Sequence, residues 1–156
     1  MDYNSMIQNQ QVEFGQMPPA SFLLGLLSAF ENRFQAVADS FFKEVTWKQF
    51  FAIICINLCR ESPTINALSE IMGSSHQNVK QILLKLEKKG FVRMAADESD
   101  RRKQRIVVTE KCDEFCKSND AESQIYLDRT FEGISPEQII TTIQTITIME
   151  RNLKKI

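Results

Sequence analysis

Between Thr64 and Thr109 the hydrophobic period changes twice, and this constrains the fold more than any other stretch of the chain. Ile65 to Met72 reads as a short helix, opened by the cap residue Thr64 and stopped by Gly73. Ser74 or Ser75 caps a second helix that runs to Lys89 and ends at Gly90. Small Ser69, four residues before Gly73, lets the second helix pack closely, and Leu68, Val79, Ile82 and Leu83 supply a shared core. Phe91 to Ala96 and Arg105 to Thr109 are then two extended runs around a very polar tip, Asp97 to Gln104, which is the pattern of a hairpin.

Helix, glycine turn, helix and hairpin, in that order, make a winged helix-turn-helix, expected over residues 46–109. The flanks are helical. From Ser21 onward Leu23, Leu27, Phe30, Phe34, Val37 and Phe41 form a seam of period 3.5, broadened by Phe22, Leu24, Leu26, Ala38 and Phe42. That is more apolar surface than one small core uses, so a second chain is expected against it. Thr46 and Gln49 form a capping box for a helix to about Arg60, apolar almost all round and therefore central. Beyond Thr109 a helix carries apolar Cys112, Phe115, Cys116, Ile125, Tyr126, Leu127 and Phe131 around a polar middle. Ser135-Pro136-Glu137-Gln138 starts the last helix, where Ile139, Ile140, Ile143, Ile146, Met149, Leu153 and Ile156 share one stripe. The expected architecture is mainly α with a small β-hairpin wing. A flexible arm covers residues 1–18, helical dimerisation regions cover 19–45 and 110–156, and the winged domain lies between them.

At 156 residues and 18.0 kDa the chain has room for one such domain plus oligomerisation helices. Its 43% hydrophobic and 25% charged residues, with 5 Gly and 4 Cys, exclude collagen-like, wholly disordered and disulfide-scaffold classes. The longest nearly unbroken apolar run, Phe50 to Cys59 with Asn57 inside it, falls short of the ~20 residues that cross a bilayer. Met1 to Gln16 holds no Lys or Arg and no apolar core, so no signal peptide is read there; the expectation is a cytoplasmic chain with no membrane partner and reduced thiols.

Net charge is −1, but its distribution is uneven. From His76 to Arg105 nine Lys/Arg stand against four Asp/Glu, a net of +5, while the remaining residues sum to −6. A basic patch on an acidic body points to a polyanionic partner. With Val79, Ile82, Leu83 and Leu86 facing inward, the outward face of the second helix offers Ser75, His76, Gln77, Asn78, Lys80 and Gln81. Gln and Asn make paired hydrogen bonds to adenine, and Ser, His or Lys serve bases or phosphates. Lys85, Arg93, Arg101, Arg102, Lys103 and Arg105 are the remaining candidate DNA contacts, through phosphates. Asp100 can fix one wing arginine while another enters a narrow minor groove.

Leu68-Ser69-Glu70-Ile71-Met72-Gly73, Val79, Leu86-Glu87-Lys88-Lys89-Gly90-Phe91-Val92-Arg93, Asp97, Asp100-Arg101-Arg102 and Val108-Thr109 together resemble the MarR family of bacterial transcription regulators. The flanking helices extend the likeness from about Ser21 to the carboxyl end. The resemblance implies a homodimer interleaved through its first and last helices. It implies a sequence-specific regulator, expected to be a repressor, that binds double-stranded DNA at a pseudo-palindromic operator. One reading helix would serve each half-site, with the wing in the adjacent minor groove, the wing arginine at Arg102 and its stabilising aspartate at Asp100. Release by a small ligand, by thiol oxidation or by metal is known among relatives. This chain departs from the pattern in having Gln81 where many relatives have Arg, Leu84 where a polar residue is common and Cys112 where Gly is usual.

For a small-molecule effector the candidate pocket is aromatic, lined by Phe41, Phe42, Trp47, Phe50 and Phe51, although a Phe-rich stretch is more often plain core. Cys112 and Cys116 are the candidate redox pair, because Lys111 and Lys117 are nearby and a helix start would lower the Cys112 pKa. Cys55 and Cys59 read as small hydrophobes of the buried helix. No metal site is expected with His76 the only histidine and no C-x-x-C pair, and no cofactor is expected either. Phosphate-binding glycine loops, metalloprotease helices and nucleophile elbows are all missing from the sequence, so the chain is not read as an enzyme. The rival reading is a winged-helix protein-interaction module whose basic face docks an acidic partner; the salt dependence of duplex binding separates the two.

Overall fold

The computed structural model describes Gly15, residues 17–97 and residues 104–156. Most of the expected arm, and the wing tip with Asp100, Arg101, Arg102 and Lys103, lie outside the described residues. Among those described, the order is α1 (Pro19–Phe41), α2 (Trp47–Leu58), α3 (Ile65–Met72), α4 (His76–Lys88), β1 (Val92–Ala96), β2 (Gln104–Val108), α5 (Glu110–Thr130) and α6 (Pro136–Leu153). The chain divides into two compact units, one through Thr109 and one from Glu110 to Ile156.

In the first unit α2 is central, touching α1, α3, α4 and β2. Its start is the expected capping box. Thr46 Oγ1 accepts from the Gln49 N–H while Gln49 Oε1 accepts from the Thr46 N–H, each at 3.3 Å. Ala52, Ile53, Cys55 and Ile56 are buried. The helix ends at Leu58 rather than near Arg60, because Cys59 turns to extended backbone, and Leu58, past the last packed turn, is 77% exposed.

The α3–α4 turn is built as the residue types require. Thr64 caps α3 by accepting from the Ala67 N–H at 3.2 Å, and Gly73 adopts the left-handed conformation at φ 59°. The Ser74 N–H donates to the Ser69 carbonyl at 3.0 Å and the Gly73 N–H to that of Glu70 at 3.3 Å, a Schellman closure. Ser69 is buried, its hydroxyl turned back onto the Ile65 carbonyl at 2.7 Å, so α4 meets no unsatisfied group there. Ser75, of the two serines considered, is the α4 cap. The far end repeats the closure: Phe91 N–H to Leu86 O at 3.0 Å and Gly90 N–H to Glu87 O at 2.9 Å, with Gly90 at φ 78°.

Leu68, Val79, Leu83, Leu86, Phe91 and Ile106 have no exposed surface and form the core, at about 1.5–3 kcal/mol of transfer free energy each. Antiparallel β1 and β2 pair in the register Val92↔Val108, Met94↔Ile106 and Ala96↔Gln104. Thr109 closes the hairpin base, its N–H donating to Phe91 O at 3.1 Å and its hydroxyl to Gly90 O at 2.6 Å. The Ile106 N–H reaches Pro63 O at 2.9 Å, which ties the outer strand to the loop before α3.

Burial on α1 does not follow the 3.5-period seam. Phe22 and Ala38 are its buried residues, while Phe30 and Val37 of the seam lie open. In the second unit α5 runs unbroken through its polar middle, helped by side-chain bonds such as Asn119 Nδ2 to Phe115 O and Gln124 Nε2 to Asp128 Oδ1, both 2.8 Å. The Ser135–Gln138 capping box and Pro136 open α6, which buries no residue at all.

Candidate nucleic-acid interface

Because α4 turns Val79, Ile82, Leu83 and Leu86 into the core, its opposite side carries His76, Gln77, Asn78, Lys80, Gln81, Lys85 and Lys88 to solvent. No acid lies in its first turn, so the partial positive charge of the free N–H groups there is not offset. Ser75 is occupied as the cap, accepting from the Asn78 N–H at 3.2 Å, and Asn78 Nδ2 donates to Ser74 Oγ at 2.8 Å. These two bonds fix the helix start and hold the Asn78 amide in one pose. His76, Gln77, Lys80 and Gln81 have no side-chain partner among the described residues and are free to meet a ligand.

The acids of the basic segment point the other way. Glu87 is half-buried, and its Oε1 accepts from the Met94 N–H at 2.9 Å. Asp97 is 4% exposed and forms an ion pair with Arg105 Nε, while Arg105 Nη1 donates to Ser62 O at 2.9 Å. Lys80, Lys85, Lys88 and Arg93 stay exposed without such partners. The +5 of the segment is therefore sorted in space: described acids inward, most described cations outward.

Sequence reasoning assigned Arg105 to phosphate and gave the aspartate role to Asp100. Among the described residues the pair that braces the wing is Asp97 with Arg105, and it joins the hairpin to the α2–α3 loop. Its signal was available in the register, since Ala96↔Gln104 brings the positions on either side of the tip together. Lys89 was also read only as a charge of the helix end. Its ammonium donates to Glu44 O at 2.6 Å and Gln49 Oε1 at 3.0 Å, so it links the end of α4 to the start of α2.

The arrangement is a positive helix face flanked by a two-stranded wing, and comparison with known proteins decides what it belongs to. Residues 45–103 match the model of the MarR family. The chain carries a MarR-family domain. A curated relative, the uncharacterized HTH-type transcriptional regulator YfiV of Bacillus subtilis, is 30% identical over 90 residues, which cover 58% of this chain and 56% of the relative, so the match spans little more than half of that protein. The fold extends further than the sequence match. The MarR/EmrR family transcriptional regulator from Acinetobacter sp. ADP1 superposes over 90% of this chain and 100% of its own, with TM-score 0.79 at 12% identity. Streptococcus pneumoniae FabT, solved in complex with DNA, does so over 87% and 98%, with TM-score 0.62 at 19% identity. The fold is thus a MarR-type winged helix-turn-helix with helices before and after it in the sequence.

Aromatic residues of α1, of α2 and of the turn between them make one continuous cluster at the α1–α2 corner. Trp47 packs edge-on to Phe34 at 4.7 Å and stacks on Phe51 at 6.1 Å; Phe42 lies 4.4 Å from Phe50 and 5.3 Å from Phe41. Asp39 Oδ1, accepting from the Trp47 N–H, holds that corner. No group of three His, Cys, Asp or Glu placed to hold a metal occurs among the described residues, and none of their helices is long and apolar enough to cross a membrane.

The thiols differ from expectation. Cys112 is not a lowered-pKa helix-start thiol: it is fully buried, and burial, with smaller contributions from Cys116 and Asp113, pushes it up to about 12. Glu110 and Asp113 share the first turn of α5 and oppose the helix dipole that would have favoured a thiolate. Burial raises Cys116 as well. With a pKa about three units above the ordinary 9.0, the Cys112 thiolate is roughly a thousandfold rarer near neutral pH. Iodoacetamide applied to the native protein should therefore leave Cys112 unmodified while guanidinium-unfolded chain alkylates there, read by peptide mass spectrometry. Rapid native labelling of Cys112 would refute its burial.

Proposed function

We propose that this chain is a homodimeric, sequence-specific DNA-binding regulator, acting as a repressor at a pseudo-palindromic operator. The observation that carries the reading is the sorting of charge on α4 and β1, where acids are engaged internally and Lys80, Lys85, Lys88 and Arg93 face outward beside the amides of Gln77 and Gln81. Amides at the helix start serve base edges and the lysines serve phosphates. FabT, a structural neighbour solved with DNA, supports the same use of the fold.

Dimerisation is supported by apolar surface that neither unit uses. Leu24, Phe30 and Val37 of α1 and Ile140, Ile143, Ile148 and Leu153 of α6 are exposed. Thr142, Thr145 and Thr147 each return their hydroxyl to the carbonyl of the residue four before, at 2.8 Å, so α6 offers methyl groups rather than unsatisfied polar ones. Two copies joined through these helices would present two reading helices to two half-sites. The aromatic cluster of Phe41, Phe42, Trp47 and Phe51 is the proposed place for a small apolar effector to act, through displacement of stacked rings.

Selection of bound duplexes from a random pool, followed by titration against salt, tests the function. A steep fall of affinity with salt and one enriched, two-fold symmetric sequence are expected; equal weak binding to every duplex, with a shallow salt slope, overturns it. On the selected duplex, Gln77→Ala should cost about 1–3 kcal/mol and relax preference at one position of each half-site. Lys85→Ala should weaken all sequences alike and reduce the salt slope by about one. Anisotropy with labelled duplexes reads both, and identical behaviour of the two variants would refute the division of roles.

A further inference from the structure

The outward stripe of α4 is not wholly polar. Leu84 is 40% exposed, on the side opposite Val79, Ile82, Leu83 and Leu86, and at 100° per residue it falls within about 20° of Gln77 on the helix surface. Lys80 lies one turn before it, Lys85 beside it and Lys88 one turn after, all three exposed. A lone apolar group ringed by cations suits a partner that offers methyl groups on a floor between anionic walls. The major groove of duplex DNA is such a partner, because thymine displays its 5-methyl there between two phosphate backbones.

We propose that Leu84 is a specificity residue that packs on thymine methyl groups of the operator half-site. The proposal rests on the DNA-binding reading above and adds to it the base that this position selects. Seven residues separate Gln77 from Leu84, about 10 Å along the helix, or about three base-pair steps. The thymine read by Leu84 therefore lies about three pairs from the base read by Gln77, in the same half-site, and two-fold symmetry repeats it in the other.

The duplex enriched from the random pool by the full-length protein is remade with each thymine in turn replaced by deoxyuridine, which lacks only the methyl. Deoxyuridine at the Leu84 position should weaken the parent about fourfold, the worth of one buried methyl-sized group. In Leu84→Ala, whose side chain stops short of the methyl, that sensitivity should vanish while other thymines keep theirs; Leu84→Met should restore it. Since Leu84 lies outside the core, the melting temperatures of both variants should match the parent. Deoxyuridine tolerated everywhere by the parent, or a Leu84→Ala variant in which every thymine sensitive in the parent stays sensitive, overturns the assignment while leaving specific DNA binding intact. A parent that enriches no duplex overturns the DNA-binding reading and this inference together.

Discussion

Glutamate at both Ile143 and Ile146 is expected to leave an 18.0 kDa species in sedimentation where the parent should run at twice that mass, and affinity for the selected duplex should fall at least about a hundredfold. The size of the effect comes from linkage. Two half-site contacts joined in one particle act with an effective concentration that each contact alone lacks, a factor of about 10² to 10⁴. Ile143 and Ile146 are exposed on a helix that buries nothing within its own chain, so the substitutions create no cavity and the monomer keeps its helical content. Placed in an apolar interface between copies, the same carboxylates would be stripped of water without partners. A parent that sediments at 18.0 kDa yet binds the operator tightly would sink the dimer reading, and a double variant that remains dimeric would move the interface away from α6.

Arg105→Ala is expected to cost about 2–3 kcal/mol and to lower the melting midpoint by roughly 10 °C. Asp97 is almost fully buried, and Arg105 is the cation that faces it among the described residues; the same side chain also satisfies Ser62 O. Truncation would strip both groups of that partner in one step. The cost sits below that of a fully buried pair because 37% of the Arg105 side chain remains exposed and water screens it. Arg105→Lys should recover only part, since an ammonium cannot bridge the carboxylate and the carbonyl with a planar fork. Asp97→Asn in the Arg105→Ala background should soften the loss by removing the buried charge. Thermal melts followed by circular dichroism read all four proteins. A variant that melts with the parent but loses one unit of salt slope would instead make Arg105 a phosphate contact, as the sequence alone had suggested.

What the sequence disclosed here was local. The caps at Thr46, Thr64, Ser75 and Ser135 all bond to the residue three ahead, the closures at Gly73 and Gly90 span five residues, and the buried stripe of α4 is a matter of helical phase. Each depends on residue type at short range, so each could be read without a fold. The parts that were not legible depend on residues that meet only after folding. Asp97 and Arg105 join across a hairpin, and Lys89 finds Glu44 and Gln49 more than a quarter of the chain away in number. Cys112 stands at a helix start, where phase and position favour a thiolate, but tertiary burial outweighs the terminal dipole. The α1 seam was visible as a period, yet a period does not say whether its own chain covers it, and here Phe30 and Val37 remain open.

Gln49 Oε1 accepts both the Thr46 N–H that begins α2 and the Lys89 ammonium that finishes α4. Unravelling at either terminus withdraws a bond from the other, so the two ends are coupled and open as one event rather than two. The segment bearing the base-reading face is thereby anchored at its tail to the most deeply packed helix of the unit, and rotation of that face about its own axis meets resistance some 40 residues upstream.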